Sequence, residues 1–202
     1  MAQDTMRDIH RLRFPDNTGD ISAMVGWFLD NRPGSRILEM GVGTGRIALP
    51  LAGAGFSVTG VDISTGFLQV LAEADTEGLV TARLASFTSD EFEPADFDAV
   101  LFMWNTLFYA RDLTEQQAAM ENAATSVADD GIVVVESFNP FQHLACGPRL
   151  SMRQLDSGTS VLEQTHVDVV NQMLYSHALM VGATAHETYR ESLSVLDRKS
   201  VV

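Results

Sequence analysis

A glycine-rich turn that follows a short apolar run limits the possible folds more than any other feature of this chain. Residues 36–40 form the run and contain one acid, Glu39, after which Gly41, Gly43 and Gly45 stand at every second position. Glycine allows a sharp turn and lets a ligand lie directly against the backbone. Open parallel sheets bind their ligands at the carboxyl ends of their strands, so the pattern predicts a binding loop at such a strand end.

Short apolar runs alternate with helical segments over the first two thirds of the chain. We predict strands at 36–40, 56–61, 79–84, 97–103 and 131–137, and helices at 20–31, 45–54, 65–74 (capped by Ser64) and 114–128 (capped by Thr114). Pro50 predicts a kink or a short helix in the second helical segment. This alternation is typical of right-handed crossovers. The predicted fold class is therefore α/β, with a doubly wound, mostly parallel, Rossmann-like sheet.

The pattern changes beyond Pro140. Residues 161–170 and 173–181 alternate in period two on either side of Asn171 and Gln172. This predicts an antiparallel hairpin near the C-terminus. We expect a single domain over residues 1–202, with a cofactor-binding core at 20–140 and a hairpin extension at 158–185. The hairpin is either the last strand pair of the fold or a substrate-covering insertion. Its long strands favour the insertion, and a second copy of the chain, in a homodimer, could pair with the free edge.

Composition excludes several kinds of partner. The 27 acidic residues outnumber the 13 Lys and Arg, and the net charge of −14 would repel nucleic acid. The single cysteine, Cys146, excludes an internal disulfide and indicates a reducing compartment. We find no apolar run of the ~20 residues that a membrane span needs and no metal-ligand spacing. We therefore expect a cytoplasmic protein that acts on a small molecule, without a membrane, nucleic acid or metal.

The residues around the glycines distinguish between two classes of nucleotide-like ligand. Asp62 ends the second strand, where an acid can bind both hydroxyls of a ribose. A dinucleotide loop would have its third glycine at the position of Arg46, and Glu39 would repel a pyrophosphate. An ammonium or a sulfonium would instead be attracted by that acid. A nicotinamide-dependent oxidoreductase is therefore the disfavoured alternative.

The E-x-G-x-G-x-G loop, the strand that ends in Asp62 and the phrase GVDIS resemble the class I S-adenosylmethionine-dependent methyltransferases over about residues 36–139. The resemblance implies that S-adenosylmethionine is the cofactor and that its methyl group passes to nitrogen or oxygen of a small molecule. It also implies a set of cofactor-binding residues. These are Glu39 at the methionine end, Gly41, Gly43 and Gly45 along the backbone, Asp62 at the ribose, Ile63 and Phe87 beside the adenine, Ser86 in place of the usual acid near the adenine amino group, and Met103 at the end of the fourth strand.

The loop after the fourth strand should face the transferring methyl group. We assign the substrate pocket to Trp104, Asn105, Phe108 and Tyr109 of this loop and to Asn139 after the fifth strand; residues 104–109 resemble a segment of actinobacterial small-molecule methyltransferases. His143 is the candidate base. Methyl transfer does not require a base of its own, because proximity can supply ~7–11 kcal/mol of the barrier. Core packing is the competing interpretation of Phe108, and a non-catalytic cofactor-binding protein is the third functional alternative.

Overall fold

A five-stranded parallel sheet forms the centre of the molecule, as the alternating pattern predicts. The computed structural model describes residues 18–31, 34–89, 96–139, 147–154, 160–182 and 186–194. The parallel strands are β1 (Arg36–Met40), β2 (Ser57–Asp62), β3 (Val80–Leu84), β4 (Phe97–Phe102) and β5 (Val127–Val135). Their order in space is β3-β2-β1-β4-β5. The order reverses between β1 and β4, and the carboxyl ends of these strands therefore flank the position where open sheets bind ligands.

Helices cover both faces of the sheet. They are α1 (Thr18–Asn31), α2 (Ala48–Gly53), α3 (Thr65–Ala74) and α4 (Leu113–Ser126), with a 3₁₀ helix at Thr106–Tyr109. Phe28, Leu51 and Leu71 bring α1, α2 and α3 into the hydrophobic core on one face. Ala119 and Ala123 pack α4 against the other face. The fold is thus the predicted doubly wound α/β sheet.

Several predicted boundaries are wrong, each for a local reason. Thr114 does not cap α4, because Asp112 accepts a hydrogen bond from Glu115 N at 2.9 Å and begins the helix earlier. Strand β5 starts at Val127, not at residue 131, because Val127 already pairs with Phe97 across a register shift. Helix α2 is short, as Pro50 predicts, but it starts at residue 48 because the glycine turn continues to residue 47. Pro50 lies in its first turn, where a missing N–H breaks no helical hydrogen bond.

The predicted hairpin is the central pair of a four-stranded antiparallel sheet. Its strands are β6 (Arg149–Gln154), β7 (Ser160–Asp168), β8 (Met173–Val181) and β9 (His186–Ser194), in that spatial order. The turn occupies residues 169–172, so β7 ends two residues earlier than predicted. The sequence prediction missed β6 and β9.

The antiparallel sheet rests on the segment that follows β4. Phe108 of the 3₁₀ helix packs against Leu174 of β8 and Leu193 of β9. Gln116 of α4 donates from Nε2 to the carbonyl of Ser194 at 2.7 Å in a buried hydrogen bond. This sheet therefore packs against the segment at the carboxyl end of β4 and stabilises its position.

Candidate active site

The turn between β1 and α2 directs its amide groups to protein acceptors. Gly41 N and Val42 N both donate to Val61 O, at 2.8 and 2.9 Å, and Gly43 N donates to Asp62 Oδ2 at 2.9 Å. A phosphate-binding loop turns such N–H groups toward its ligand. The turn is therefore poorly suited to a pyrophosphate.

The three glycines of the turn are needed for different structural reasons. Gly41 has φ +73°, and a Cβ there would overlap the side chain of Thr106 after β4. A Cβ at Gly45 would overlap Leu71 of α3. Gly43 has φ +56°, and the position of its missing Cβ has no heavy atom within 4 Å. Gly43 therefore exposes bare backbone to open space, whereas the other two glycines permit close packing.

Glu39 is a buried acid at the start of this turn, with only 3% of its surface exposed. Ala48 N, at the first position of α2, donates to its carboxyl group. Among the described residues, Glu39 Oε2 has no hydrogen-bond partner. Desolvation raises the pKa of Glu39 to about 8 from 4.5, and Asp62 also raises it, while Ala48 N and Arg46 lower it. A carboxyl group thus occupies the helix end at which dinucleotide folds hold a pyrophosphate, and its orphaned oxygen suits a cationic ligand.

Asp62 ends β2, the strand beside β1, and is near enough to Glu39 for the two acids to interact electrostatically. Its carboxylate accepts hydrogen bonds from Gly43 N at 2.9 Å and from Ser64 N at 2.8 Å. Burial raises its pKa, and these amides oppose that shift. Ile63, the next residue, is 72% exposed. We call the group of Glu39, Gly43, Asp62 and Ile63 the cradle.

Ser86 lies beside the cradle, and Phe87 turns toward the core. Ala85 N donates to Asp62 O at 3.1 Å, which joins the end of β3 to the end of β2. The Ser86 hydroxyl is 2.9 Å from that of Thr88, with which it shares a hydrogen bond. The Phe87 ring packs edge-to-face on Phe102, with 5.7 Å between ring centroids. Phe87 therefore has a packing partner in the α4 face of the core.

The segments that follow β4 and β5 are bound to each other. Trp104 N donates to Glu136 Oε2 at 3.1 Å, and Phe138 N donates to Asn105 Oδ1 at 2.6 Å. Trp104 and Asn105 have φ values of +54° and +64°, a left-handed conformation that costs about 1–3 kcal/mol for each non-glycine residue. The hydrogen bonds stabilise this strained turn and fix the position of the Trp104 backbone.

A cleft of about 420 Å³ lies between α1 and the carboxyl ends of β4 and β5. Its walls are mostly apolar, and Glu136 is the one ionisable residue among the described residues that line it. The lining consists of Ile21, Met24, Trp27, Phe28, Ile47, Met103, Trp104, Val134, Val135 and Glu136. Two of the predicted site residues, Met103 and Trp104, are in this lining.

The structure places the other predicted substrate residues outside the lining. The side-chain oxygen of Asn105 is engaged by Phe138 N, and Phe108 is buried against the antiparallel sheet. Tyr109 and Asn139 are exposed. His143, the candidate base, lies outside the described residues.

Sequence reasoning missed Glu136 and the contribution of α1 to the cleft. Glu136 is the first polar residue after β5, at the strand end where parallel sheets bind ligands, and that position is a usable signal. The apolar face of α1 is visible in the sequence, but its spacing does not show which strands it covers. None of the helices in the described ranges has the length and apolar content to cross a bilayer, and those ranges contain no group of three metal-ligating side chains.

Comparison with known proteins identifies the kind of enzyme. A sequence model described as a methyltransferase domain matches residues 37–131. The cypemycin N-terminal methyltransferase of a Streptomyces species is 28% identical over 174 residues, which cover 84% of this chain and 71% of that protein. The CcbJ methyltransferase of Streptomyces caelestis has a TM-score of 0.78 at 27% identity and covers 87% of this chain and 72% of its own.

The chain is an S-adenosylmethionine-dependent methyltransferase, similar to the class I family over residues 37–131. The fold alone is shared with the sugar N-methyltransferase KedS8 of a Streptoalloteichus species, at a TM-score of 0.71 and 20% identity over 95% of this chain and 80% of that one. S-Adenosylmethionine is accordingly the cofactor of this methyltransferase. The residues fit it: the orphaned oxygen of Glu39 suits its positive charge, and the open space at Gly43 admits a ligand against the backbone.

Proposed function

We propose that this methyltransferase holds S-adenosylmethionine in the cradle and delivers its methyl group to a small molecule bound in the cleft under α1. The observation that carries the proposal is the position of Arg46. Its guanidinium lies 3.5 Å from the centre of the Trp104 ring in the cleft wall, and it interacts electrostatically with Glu39 in the cradle. The cradle and the cleft are therefore neighbours, as a donor site and an acceptor site must be.

Each residue of the cradle has a proposed role. Glu39 faces the positively charged methionine end, Gly43 lets the cofactor approach the backbone, and Asp62 binds the ribose. Ile63 offers an exposed apolar side chain to the adenine, and Ser86 offers a hydroxyl near it. When bound, the cofactor supplies a methyl group activated by a sulfonium.

The chain itself contributes orientation and exclusion of water. The apolar walls of the cleft shield the acceptor, and the hydrogen bonds between the turns after β4 and β5 keep Trp104 and Glu136 in place. Alignment of this kind can supply ~7–11 kcal/mol of the barrier. A strong base in the cleft is not required, because the Glu136 side chain reaches solvent and an acceptor beside it can lose its proton to bulk water.

Nitrogen is the proposed methyl-accepting atom. The relative that is 28% identical over 84% of the chain is named for the methylation of an N-terminus. The carboxylate in the cleft wall is also suited to a cationic acceptor such as a protonated amine.

The proposal extends to partners and location. The net charge of −14 disfavours nucleic acid, and the single cysteine supports a cytoplasmic protein. Strand β6 is the edge of its sheet in the described structure, and its Leu150 and Met152 side chains are exposed. We therefore propose that a second copy of the chain pairs with β6 in a homodimer. A monomeric mass in light scattering would contradict the homodimer.

Calorimetric titration with S-adenosylmethionine and with NAD tests the cradle, because only the first should bind. Release of S-adenosylhomocysteine from a panel of amines, alcohols and peptides tests transfer. Binding of NAD would overturn the proposal. Cofactor binding without turnover of any acceptor would favour the non-catalytic alternative.

A further inference from the structure

The cleft under α1 combines apolar walls with a single carboxylate, and this pairing limits what can bind there. Met24, Trp27 and Phe28 of α1 face a cleft whose one ionisable lining residue, among those described, is Glu136. We infer that Glu136 selects the acceptor by binding a protonated amine, while the walls hold an aromatic or aliphatic arm of the same molecule. This inference rests on the proposed function and adds the identity of the specificity-determining residue.

Glu136 is held in place although its side chain reaches solvent. Its backbone N donates to Phe102 O at 2.8 Å, and its carbonyl accepts from Asn105 N at 3.1 Å. Its Oε2 accepts from Trp104 N at 3.1 Å, so the side chain is also anchored. A carboxylate that is already ordered loses little conformational freedom when it pairs with a ligand. Glu136 is therefore a better recognition group than a freely rotating surface acid.

The charge in the cleft distinguishes an amine from an alcohol of the same shape. A carboxylate forms charge-assisted hydrogen bonds with an ammonium group, which are stronger than those with a neutral hydroxyl. Arg46 is not part of the cleft lining, and its guanidinium is stacked on Trp104 and interacts with Glu39. Glu136 binds the ammonium form, which then loses a proton to bulk water so that the nitrogen lone pair becomes available.

The substitution Glu136→Gln isolates this charge. A glutamine oxygen can still accept the hydrogen bond from Trp104 N, so the turn keeps its anchor while the negative charge is lost. Glu136→Asp keeps the charge on a shorter side chain. Glu121→Gln, on the exposed surface of α4, removes one negative charge away from the cleft and is the matched control.

The experiment measures the binding of two probes of equal size to protein saturated with S-adenosylhomocysteine. The probes are 3-phenylpropylamine, a cation at pH 7, and 3-phenylpropan-1-ol, its neutral counterpart. We expect the wild type and Glu121→Gln to bind the amine about tenfold or more tightly than the alcohol. Glu136→Gln should bind the two probes equally and keep its affinity for S-adenosylhomocysteine, and Glu136→Asp should retain part of the preference.

Three results would overturn the inference: equal binding of the two probes by the wild type, no binding of either, or an undiminished preference in Glu136→Gln. If Glu136→Gln does not fold, the wild type still decides, because the preference for the amine must shrink as salt rises from 0.05 to about 0.5 M. A preference that is independent of salt would then count against Glu136. Failure of the proposed function is seen separately, as absence of S-adenosylmethionine binding, and the probes can then be titrated into the unliganded protein.

Discussion

Replacing Glu39 by glutamine should stabilise the unliganded protein at neutral pH and remove most of its cofactor affinity. Burial raises the pKa of Glu39 to about 8, from 4.5 for an exposed carboxyl group. Between these two values the unfolded chain loses a proton that the folded protein keeps. The stability contributed by the protonated group is therefore complete below pH 4.5 and is lost as the pH rises toward 8.

The magnitude follows from the size of the pKa shift. Each pH unit between the two pKa values lowers the free energy of unfolding by ~1.4 kcal/mol. The loss reaches about 3 kcal/mol at pH 7 and about 5 kcal/mol above pH 8. Glutamine does not titrate, and its oxygen can still accept the hydrogen bond from Ala48 N. The free energy of unfolding of Glu39→Gln should therefore not fall in this way as the pH rises.

Urea unfolding of the wild type and of Glu39→Gln at pH 5, 6, 7 and 8 measures the difference. The two proteins should be similar in stability at pH 5, and the variant should be the more stable by pH 7. Glu121→Gln, an exposed acid on α4, should follow the wild type. If the free energies of unfolding of Glu39→Gln and of the wild type change in parallel from pH 5 to pH 8, the reasoning is refuted.

The same group links cofactor binding to pH. At pH 7 Glu39 is about nine-tenths protonated in the unliganded protein. A cationic ligand favours the ionised form, so binding of S-adenosylmethionine should release close to one proton, and the affinity should rise up to about pH 8. Calorimetry in phosphate and in Tris, whose ionisation heats differ, reports the released proton. Identical binding heats in the two buffers would show that Glu39 stays protonated.

Substitutions at four further positions test the site. Asp62→Ala should lower the affinity for S-adenosylmethionine about tenfold or more, since hydrogen bonds to a charged acceptor contribute ~1.5–3 kcal/mol, and unchanged calorimetric binding would remove the ribose role. Gly41→Ala, which collides with Thr106, should lower Tm by several degrees, whereas Gly43→Ala should cost about 1 kcal/mol of stability and mainly weaken cofactor binding. A larger loss of Tm in Gly43→Ala than in Gly41→Ala would contradict the packing argument. Asn105→Ala should lower the free energy of unfolding by about 1–3 kcal/mol, and Asn105→Gly should recover part of it by relieving the positive φ. No advantage of glycine over alanine would show that this turn stores no strain.

The parallel half of the fold could be predicted because its sequence signals are local and agree with one another. Each of its strands is a short apolar run, and the glycine turn and Asp62 mark the ends of β1 and β2. The boundaries were less predictable where two residues compete for one role. Asp112 and Thr114 are both good helix caps, and the helical register that decides between them depends on packing.

The outer strands of the antiparallel sheet carried no comparable signal. Strand β6 is exposed along its whole length and reads Arg-Leu-Ser-Met-Arg-Gln, so its alternation is limited to Leu150 and Met152 and is too short to predict a strand. Its pairing with β7 depends on backbone hydrogen bonds, which a sequence pattern does not record. Strand β9 likewise contains mostly polar residues.

The candidate site was predictable as a location and less so as a set of contacts. The sequence places Glu39 and Asp62 at neighbouring strand ends, and the structure shows that they interact. The role of Phe108 depends on the antiparallel sheet that packs on it, which is distant in sequence. Glu136 and α1 meet in the cleft only through the tertiary fold.

The hydrogen bond between α4 and β9 bears on the order in which the chain can fold during synthesis. Gln116 and Ser194 are separated by 78 positions, and all five strands of the parallel sheet leave the ribosome before β9 is made. Phe108 lacks its neighbours Leu174 and Leu193 until β8 and then β9 have been made. The nascent chain should therefore pass through a stage with an assembled nucleotide-binding half and an exposed aromatic surface, the kind of species that chaperones bind.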